Sequence, residues 1–234
     1  MKFDNNLIEL AIGQAIEYSI RKKEGFKDRV RNFDESIDLI INLKDLNLND
    51  PKNRIDEEFI LPHKIFFEGK VPACFIASGD IQLNAKKLSY DVFDEEALEQ
   101  LDKTDKKEKK KLLKKYTFFI TEQKFMRLVA KYLARFLGPL GKMPKPSPKG
   151  YGIIREQDDI KEIIERHRRI VRIKMKKVPL IQLKVGKKSM DKNQITENIL
   201  AVVKHIADQL PNKWNSVKSI YIKTSMGKPV KVGE

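Results

Sequence analysis

The sequence predicts a mixed α/β protein of two domains, and three observations carry that prediction. The 234-residue chain is 41% hydrophobic, enough for one large core or two small ones, although 35% of its residues are charged. From Lys70 onward, short apolar runs alternate with amphipathic segments, the pattern of a small parallel sheet with crossover helices. Charge is divided along the chain as well: residues 1–62 carry 10 Lys and Arg against 13 Asp and Glu, whereas residues 142–234 carry 22 against 9.

The opening segment "NLIELAIGQAIEYSIRKK" sets Leu7, Ile8, Ala11, Ile12, Ala15 and Ile16 on one stripe, an amphipathic helix that must dock on something. "FDESIDLIINLKDLNL" leads into a strand through Asp38–Leu43, "NDPKNR" turns the chain, and "EEFILP" is a second strand. One helix and two strands make a thin core, so this piece needs a partner. "VPACFIAS" is an apolar run expected of a strand buried on both faces. It is followed by a helix over "GDIQLNAKKL", a strand at "YDVFD", one long helix over residues 95–116, a strand at "TFFIT" and a helix over 124–137. This is a Rossmann-like three-layer arrangement.

In "GPLGKMPKPSPKG", residues 138–150, the prolines at 139, 144, 146 and 148 and the glycines argue against regular structure. Beyond it, "QDDIKEIIERHRR" is a helix with acids near its start and Arg166, Arg168 and Arg169 near its end. "IVRIKMKK" alternates Val171, Ile173 and Met175 with Arg172, Lys174 and Lys176, a half-buried strand with a basic outer side. "LIQLKVG", the helix "QITENILAVVKHIADQL" and the strand "VKSIYIKTSMG" complete the chain.

A net charge of +15, concentrated late in the sequence, favours a surface that neutralises phosphates over a merely solvated one. Cys74 has no partner for a disulfide, and His63, His167 and His205 lack metal-ligand spacing, so neither metal nor cofactor is expected. No run approaches the roughly 20 apolar residues of a membrane span, and "MKFDNNLIEL" lacks a secretory pattern, which points to the cytoplasm. HExxH and GxSxG are absent, and the pairs Glu57/Glu58 and Glu95/Glu96 read as solvent faces or helix starts, so no enzyme is expected.

The GK of the proline-rich loop fails as a phosphate cradle: it follows a helix, and Met143 and Pro144 stand where Ser or Thr would hold magnesium. "GPLG" matches a GxxG nucleic-acid clamp only weakly. The lysine run at 103–115 reads as a solvated helix face. "TSMG", residues 224–227, has two hydroxyls and a glycine able to meet a ribose or phosphate, yet alone it is an ordinary strand exit. Phe33 alone reads as a core anchor, the usual fate of a lone phenylalanine.

Three stretches together, "NFDESIDLIINLKDLNLNDPKNRIDEEFILP", "FLGPLGKMPKP" and "YIKTSMGKPVKV", resemble the L-one family of large-subunit ribosomal proteins, the protein of the mobile ribosomal stalk, in its archaeal form with some eukaryotic-like features. The resemblance implies that the first and last segments join into one discontinuous split α+β sheet domain, residues 1–66 and 155–234, with the Rossmann-like domain, 67–154, inserted between them. It implies a monomer when free, in the cytoplasm and on the ribosome, that binds large-subunit rRNA at the stalk near the exit tRNA site. It further implies help in releasing deacylated tRNA, and translational repression by binding a mimic of the rRNA site in the protein's own mRNA.

Carried over by motif, the RNA-contact residues are Phe33, Glu35, Gly186, Lys187, Ser189, Thr224, Ser225, Met226 and Gly227, with phosphate contacts from Arg29, Arg31, Arg172, Lys174 and Lys187. Thr224 and Ser225 stand in the opposite order to the family's eukaryotic-like pattern, and Lys187 stands where relatives often differ. The proline-rich loop is expected to lead from the inserted domain back to the first, its lysines touching RNA. Two other readings remain open: a nucleotide-binding enzyme using the middle domain, and an RNA-binding regulator that never joins ribosomes.

Overall fold

A computed structural model describes residues 5–20, 31–66 and 70–233. Helix α1 (Asn5–Glu17) buries Ile8, Ala11, Ile12 and Ala15 and leaves Leu7 exposed. Strand β1 (Ser36–Leu43) alternates strictly, with Ile37, Leu39, Ile41 and Leu43 facing inward, and β2 (Ile55–Ile60) follows a turn begun by Pro51. Next come β3 (Ala73–Ile76), buried throughout, then α2 (Gly79–Lys87), β4 (Asp91–Phe93), α3 (Glu95–Lys103), α4 (Lys106–Lys114) and β5 (Phe118–Glu122). Helices α5 (Met126–Tyr132) and α6 (Ala134–Leu140), the short β6 (Ile153–Ile154) and α7 (Ile160–His167) follow. The chain continues through β7 (Ile170–Met175), β8 (Leu180–Lys187), α8 (Lys192–Gln209), β9 (Val217–Thr224) and β10 (Val230–Lys231).

Two compact units result, one from residues 1–67 and 169–234 and the other from 68–168. In the first, the described residues form an antiparallel sheet in the order β10-β9-β1-β8. Strand β1 is central, with Ser36 opposite Lys187 on one side and Ile37 opposite Thr224 on the other. Ile8 and Ile12 of α1 and Ile195, Ile199 and Val202 of α8 pack against the inward residues of β1 in one core. The thin early segment is thereby completed by the late one. A separate antiparallel ribbon pairs β2 with β7, and the Leu61 N–H prolongs it by donating to the Arg169 carbonyl at 2.8 Å.

The second unit holds a parallel sheet in the order β4-β3-β5-β6. Phe75, Ala77 and Ile120 pack with Ile81 of α2 and with Ile163 and Ile164 of α7 on one face. Cys74, Ile76 and Phe119 pack with Leu98, Leu113, Val129 and Leu137 on the other. This is the three-layer arrangement expected from the alternating strands and helices.

Three boundaries differ from expectation. Helix α7 belongs to the second unit, because Ile160, Ile163 and Ile164 complete the core over β3 and β5, which moves the return point from 154/155 to 168/169. The single helix over 95–116 is two, since Thr104 ends α3 and Asp105 starts α4 by accepting from the Lys107 N–H at 3.3 Å, with Glu108 at the third helical position. Third, Gly138 and Pro139 lie inside α6, which ends at Leu140. There Gly141 adopts φ 69°, its N–H bonds the Gly138 carbonyl, and the Lys142 N–H bonds that of Leu137, each at 2.9 Å, a Schellman closure. The loop then stays within the second unit. Lys142 is occupied within the unit: its Nζ donates to the carbonyls of Leu113 and Lys114 in the last turn of α4 and of Tyr116 just beyond it.

Deep in the second unit, His167 is buried, lies edge-on to Phe118 and donates through Nδ1 to the Ile163 carbonyl at 2.7 Å. Burial pushes its pKa down to about 4 from 6.5. The unfolded chain therefore takes up a proton below pH 6.5 that the folded chain refuses, and stability is lost as pH falls from 6.5 toward 4. Urea unfolding at pH 7 and 4.5 is expected to show this unit losing about 2–3 kcal/mol more in the wild type than in His167→Gln. Replacing residues 68–168 by a short Gly/Ser linker is expected to leave the first unit cooperatively folded, as read by a thermal melt, because the Leu61–Arg169 bond and the β2–β7 ladder already hold the two chain segments together near the junction.

Candidate nucleic-acid interface

At one end of the antiparallel sheet, the approach to β1, the exit of β8 and the exit of β9 meet around Glu35, which is 1% exposed. Its Oε1 accepts from Arg31 Nη1 at 3.0 Å, its Oε2 from the Met226 N–H at 3.2 Å, and the Thr224 hydroxyl also bonds the carboxylate. Burial alone would raise the Glu35 pKa, but these bonds and the Arg31 charge outweigh it and hold the carboxyl below its ordinary range. The Glu35 carbonyl in turn accepts from the Lys188 N–H at 2.8 Å. One residue thus ties three chain segments together.

The β9 exit is fixed by further bonds. Ser225 N–H and hydroxyl both reach the Ser36 carbonyl, at 2.9 and 3.3 Å. The Gly227 N–H bonds the Thr224 hydroxyl oxygen and carbonyl, each at 3.1 Å. A Cβ on Gly227 would stand 2.4 Å from the Thr224 oxygen and 3.4 Å from the backbone of Tyr18 and Ser19, so only glycine fits. Both hydroxyls of the Thr224–Ser225 pair are therefore engaged inside the protein, and the fully buried Thr224 keeps its methyl in the packing.

The β8 exit is pinned in the same way. Asp34 accepts from the Ser189 N–H at 3.1 Å and its hydroxyl at 2.8 Å, and pairs with Lys187 Nζ at 3.3 Å. Burial pushes the Asp34 pKa up, yet Ser189 and Lys187 bring it below normal. Gly186 lies so close to Ile195 and Met190 that a Cβ would meet them at 3.0 and 3.2 Å. Lys188 Nζ donates to the Ser19 hydroxyl at 3.0 Å, and Arg31 Nη1 also donates to the Ser19 carbonyl at 2.6 Å, which draws in the end of α1.

Three large apolar side chains stand exposed at this end. Phe33 is 55% exposed and Met226 63%, and Tyr18 beside Gly227 is exposed too. Phe33 is therefore a surface platform and not the core anchor that it suggests when read alone. Behind them, on the open sheet face, Asp38 lies opposite both Lys184 and Lys223. Burial raises the Asp38 pKa against the pull of these lysines, and burial and Lys187 lower that of Lys184.

Phe33, Glu35, Arg31, Gly186, Lys187, Ser189, Thr224, Ser225, Met226 and Gly227 are thus brought together. Arg172 and Lys174 are not: they lie on the β2–β7 ribbon, where Arg172 Nε and Nη2 hold Asp56 at 2.8 and 2.6 Å. Arg29 lies outside the described residues. Sequence reasoning missed Asp34, Lys188, Tyr18 and Ser19. Only Asp34 carried a signal, inside "NFDES".

In the second unit, the carboxyl ends of the parallel strands open on a cavity of about 930 Å³, the place where such sheets take nucleotides. Its lining includes Asp94, Glu95, Glu96 and Glu99, and Lys124 is already held by Glu122 at 2.6 Å and Glu156 at 2.8 Å. Arg127 also lines it, but four carboxylates leave the lining net acidic, which disfavours a polyphosphate.

A sequence model of the Ribosomal protein L1p/L10e family matches residues 21–228. The chain belongs to this family. It is a ribosomal protein of the archaeal type, a component of the cytoplasmic ribosome. The large ribosomal subunit protein uL1 of Thermococcus kodakarensis is 38% identical over 211 residues, 90% of this chain and 94% of that one. The uL1 of Methanothermobacter thermautotrophicus is 39% identical over 213 residues, covering 90% and 95%, and that of Methanospirillum hungatei 40% over 204, covering 86% and 90%. The family match runs through all three segments that meet at Glu35.

Glu35→Ala is expected to destabilise the first unit by about 2 kcal/mol at pH 7, since it removes hydrogen bonds to a charged group and strands Arg31. Because the folded pKa is depressed, this contribution is present above pH 4.5 and fades as pH falls through the lower folded value. Urea unfolding of both proteins from pH 7 to pH 3 is expected to show the gap closing on the acid side.

Proposed function

We propose that this protein is a structural constituent of the large ribosomal subunit that binds large-subunit rRNA at the mobile stalk, near the exit site for tRNA, through the end of the sheet around Glu35. Bound there, it assists release of deacylated tRNA, and the same surface represses translation by binding a mimic of the rRNA site in its own mRNA. The protein acts as a monomer when free and performs no catalysis. Relatives named large ribosomal subunit protein uL1 support the assignment to that subunit.

The observation that carries the reading is a rigid, internally satisfied backbone presenting Phe33 and Met226. Folded RNA is recognised by its shape, by apolar side chains that receive unstacked bases and by groups that meet riboses and phosphates. A platform whose polar groups already bond one another gives up little freedom on binding, so specificity comes from fit. The basic late segment adds a salt-dependent attraction.

The test is binding to a transcribed stalk fragment of large-subunit RNA beside a scrambled RNA, at moderate and high salt. Preference for the stalk RNA is expected, with affinity lowered about 100-fold, some 2.7 kcal/mol, by Met226→Asp with Gly227→Val. Arg172→Ala, already held by Asp56, is expected to change it less than about threefold. Equal weak binding to both RNAs, unaffected by the double substitution, would sink the reading.

A further inference from the structure

We propose that the cleft between α4 and α6 of the inserted unit is a docking site for an acidic peptide segment with apolar anchors. The cleft encloses about 430 Å³, at the small end of the range for ligand sites. Its floor is Phe136, Pro139 and Leu140, and its rim is Lys106, Lys107, Lys110 and Arg135. All four cations are exposed, and none makes an ion pair with a described residue. No acid contributes to the lining, and the only acid in the sequence of α4, Glu108, stands outside it.

Within α4 the structure separates a structural lysine from the unused ones. Lys109 is buried, donates to the Asp102 carbonyl at 2.6 Å and carboxylate at 3.0 Å, and lies 5.6 Å from the centre of the Phe136 ring. It fastens α4 to the end of α3 and covers one side of Phe136. The neighbouring lysines are left to the cleft. The Schellman closure after Leu140 holds the far wall of this apolar hollow in place.

Charge complementarity selects the occupant. Four like charges around an apolar floor match acidic side chains flanking apolar ones, as when an amphipathic helix lays its apolar face into a groove. RNA suits the cleft less well than the Phe33 platform, because Phe136 is half-buried and already carries Lys109 over its ring, which leaves little free aromatic face for a base to stack on.

The experiment is selection of random 16-residue peptides from a display library against the full chain, with counter-selection against Lys106→Glu, Lys107→Glu, Lys110→Glu. Enriched peptides are expected to carry Asp or Glu around two or more Leu, Ile or Phe at helical spacing. Their affinity is expected to fall about tenfold or more for the triple variant and for Leu140→Asp, and to weaken with salt. The triple variant changes only exposed side chains and is expected to keep the wild-type thermal melt, so it decides the matter if Leu140→Asp misfolds. Failure to enrich any peptide, enrichment of peptides without acids, or equal binding to the triple variant overturns the proposal. So does a 12-nucleotide U-rich RNA that binds this cleft more tightly than any selected peptide, an outcome that assigns the cleft to RNA.

Discussion

A carboxylate removed from water is tolerable only if its lone pairs are met, and Glu35 meets that demand from three directions at once. Arg31 lies four residues earlier, whereas Thr224 and Met226 lie almost two hundred residues later. The partners are therefore separated in the chain and adjacent only when β1 has paired with β9 in register. A slip of one residue would turn Ile37 and Leu39 out of the core and carry the Met226 N–H away from the carboxylate. Core packing and the buried charge select the same register, and the exposed platform inherits its position from that agreement.

The hydroxyl and amide groups at the sheet end that look suited to RNA, those of Ser189, Thr224 and Ser225, are engaged in holding loops together. Lys187 is held by Asp34, and Lys188 by Ser19. A surface assembled this way presents shape and apolar contact first. Charge then acts from a distance, through cations that are not committed locally. The division also separates two kinds of mutation: loss of Phe33 or Met226 alters what is presented, while loss of Glu35 or Asp34 alters whether it is presented in one conformation.

Much of the fold was legible because its elements are locally consistent. The strict alternation of β1, the apolar run of β3 and the stripe of α1 each report a period that packing then uses. Caps were legible in principle but easily lost: the Asp105 and Glu108 pair lies within a lysine run that reads as one continuous helix. Helix α7 was misassigned because nothing local tells a helix which sheet will cover its apolar face. That the candidate site residues would lie together was legible only through the family resemblance, since Phe33 and "TSMG" taken singly look ordinary. Tyr18 and Ser19 were invisible for a physical reason: their part depends on where α1 ends against Gly227, a contact that no sequence period encodes.

The place of the insertion follows from the ribbon of β2 and β7. Pairing runs from Ile55 opposite Met175 to Ile60 opposite Ile170 and continues through the Leu61–Arg169 bond, so the chain re-enters the first unit at the end of a ladder, while the outgoing segment still packs Ile65 into the first core before the boundary at 67/68. The entropy of closing a loop grows only with the logarithm of its length, and lengthening a connection to roughly a hundred residues costs only a few kcal/mol more than a short turn. An inserted segment that folds on its own core recovers that cost internally. The first unit then needs from the insertion only that its two ends remain close, which the ribbon already requires. This leaves the surface of the second unit, including the cleft lined by α4 and α6, unconstrained by the packing that fixes the platform at Glu35.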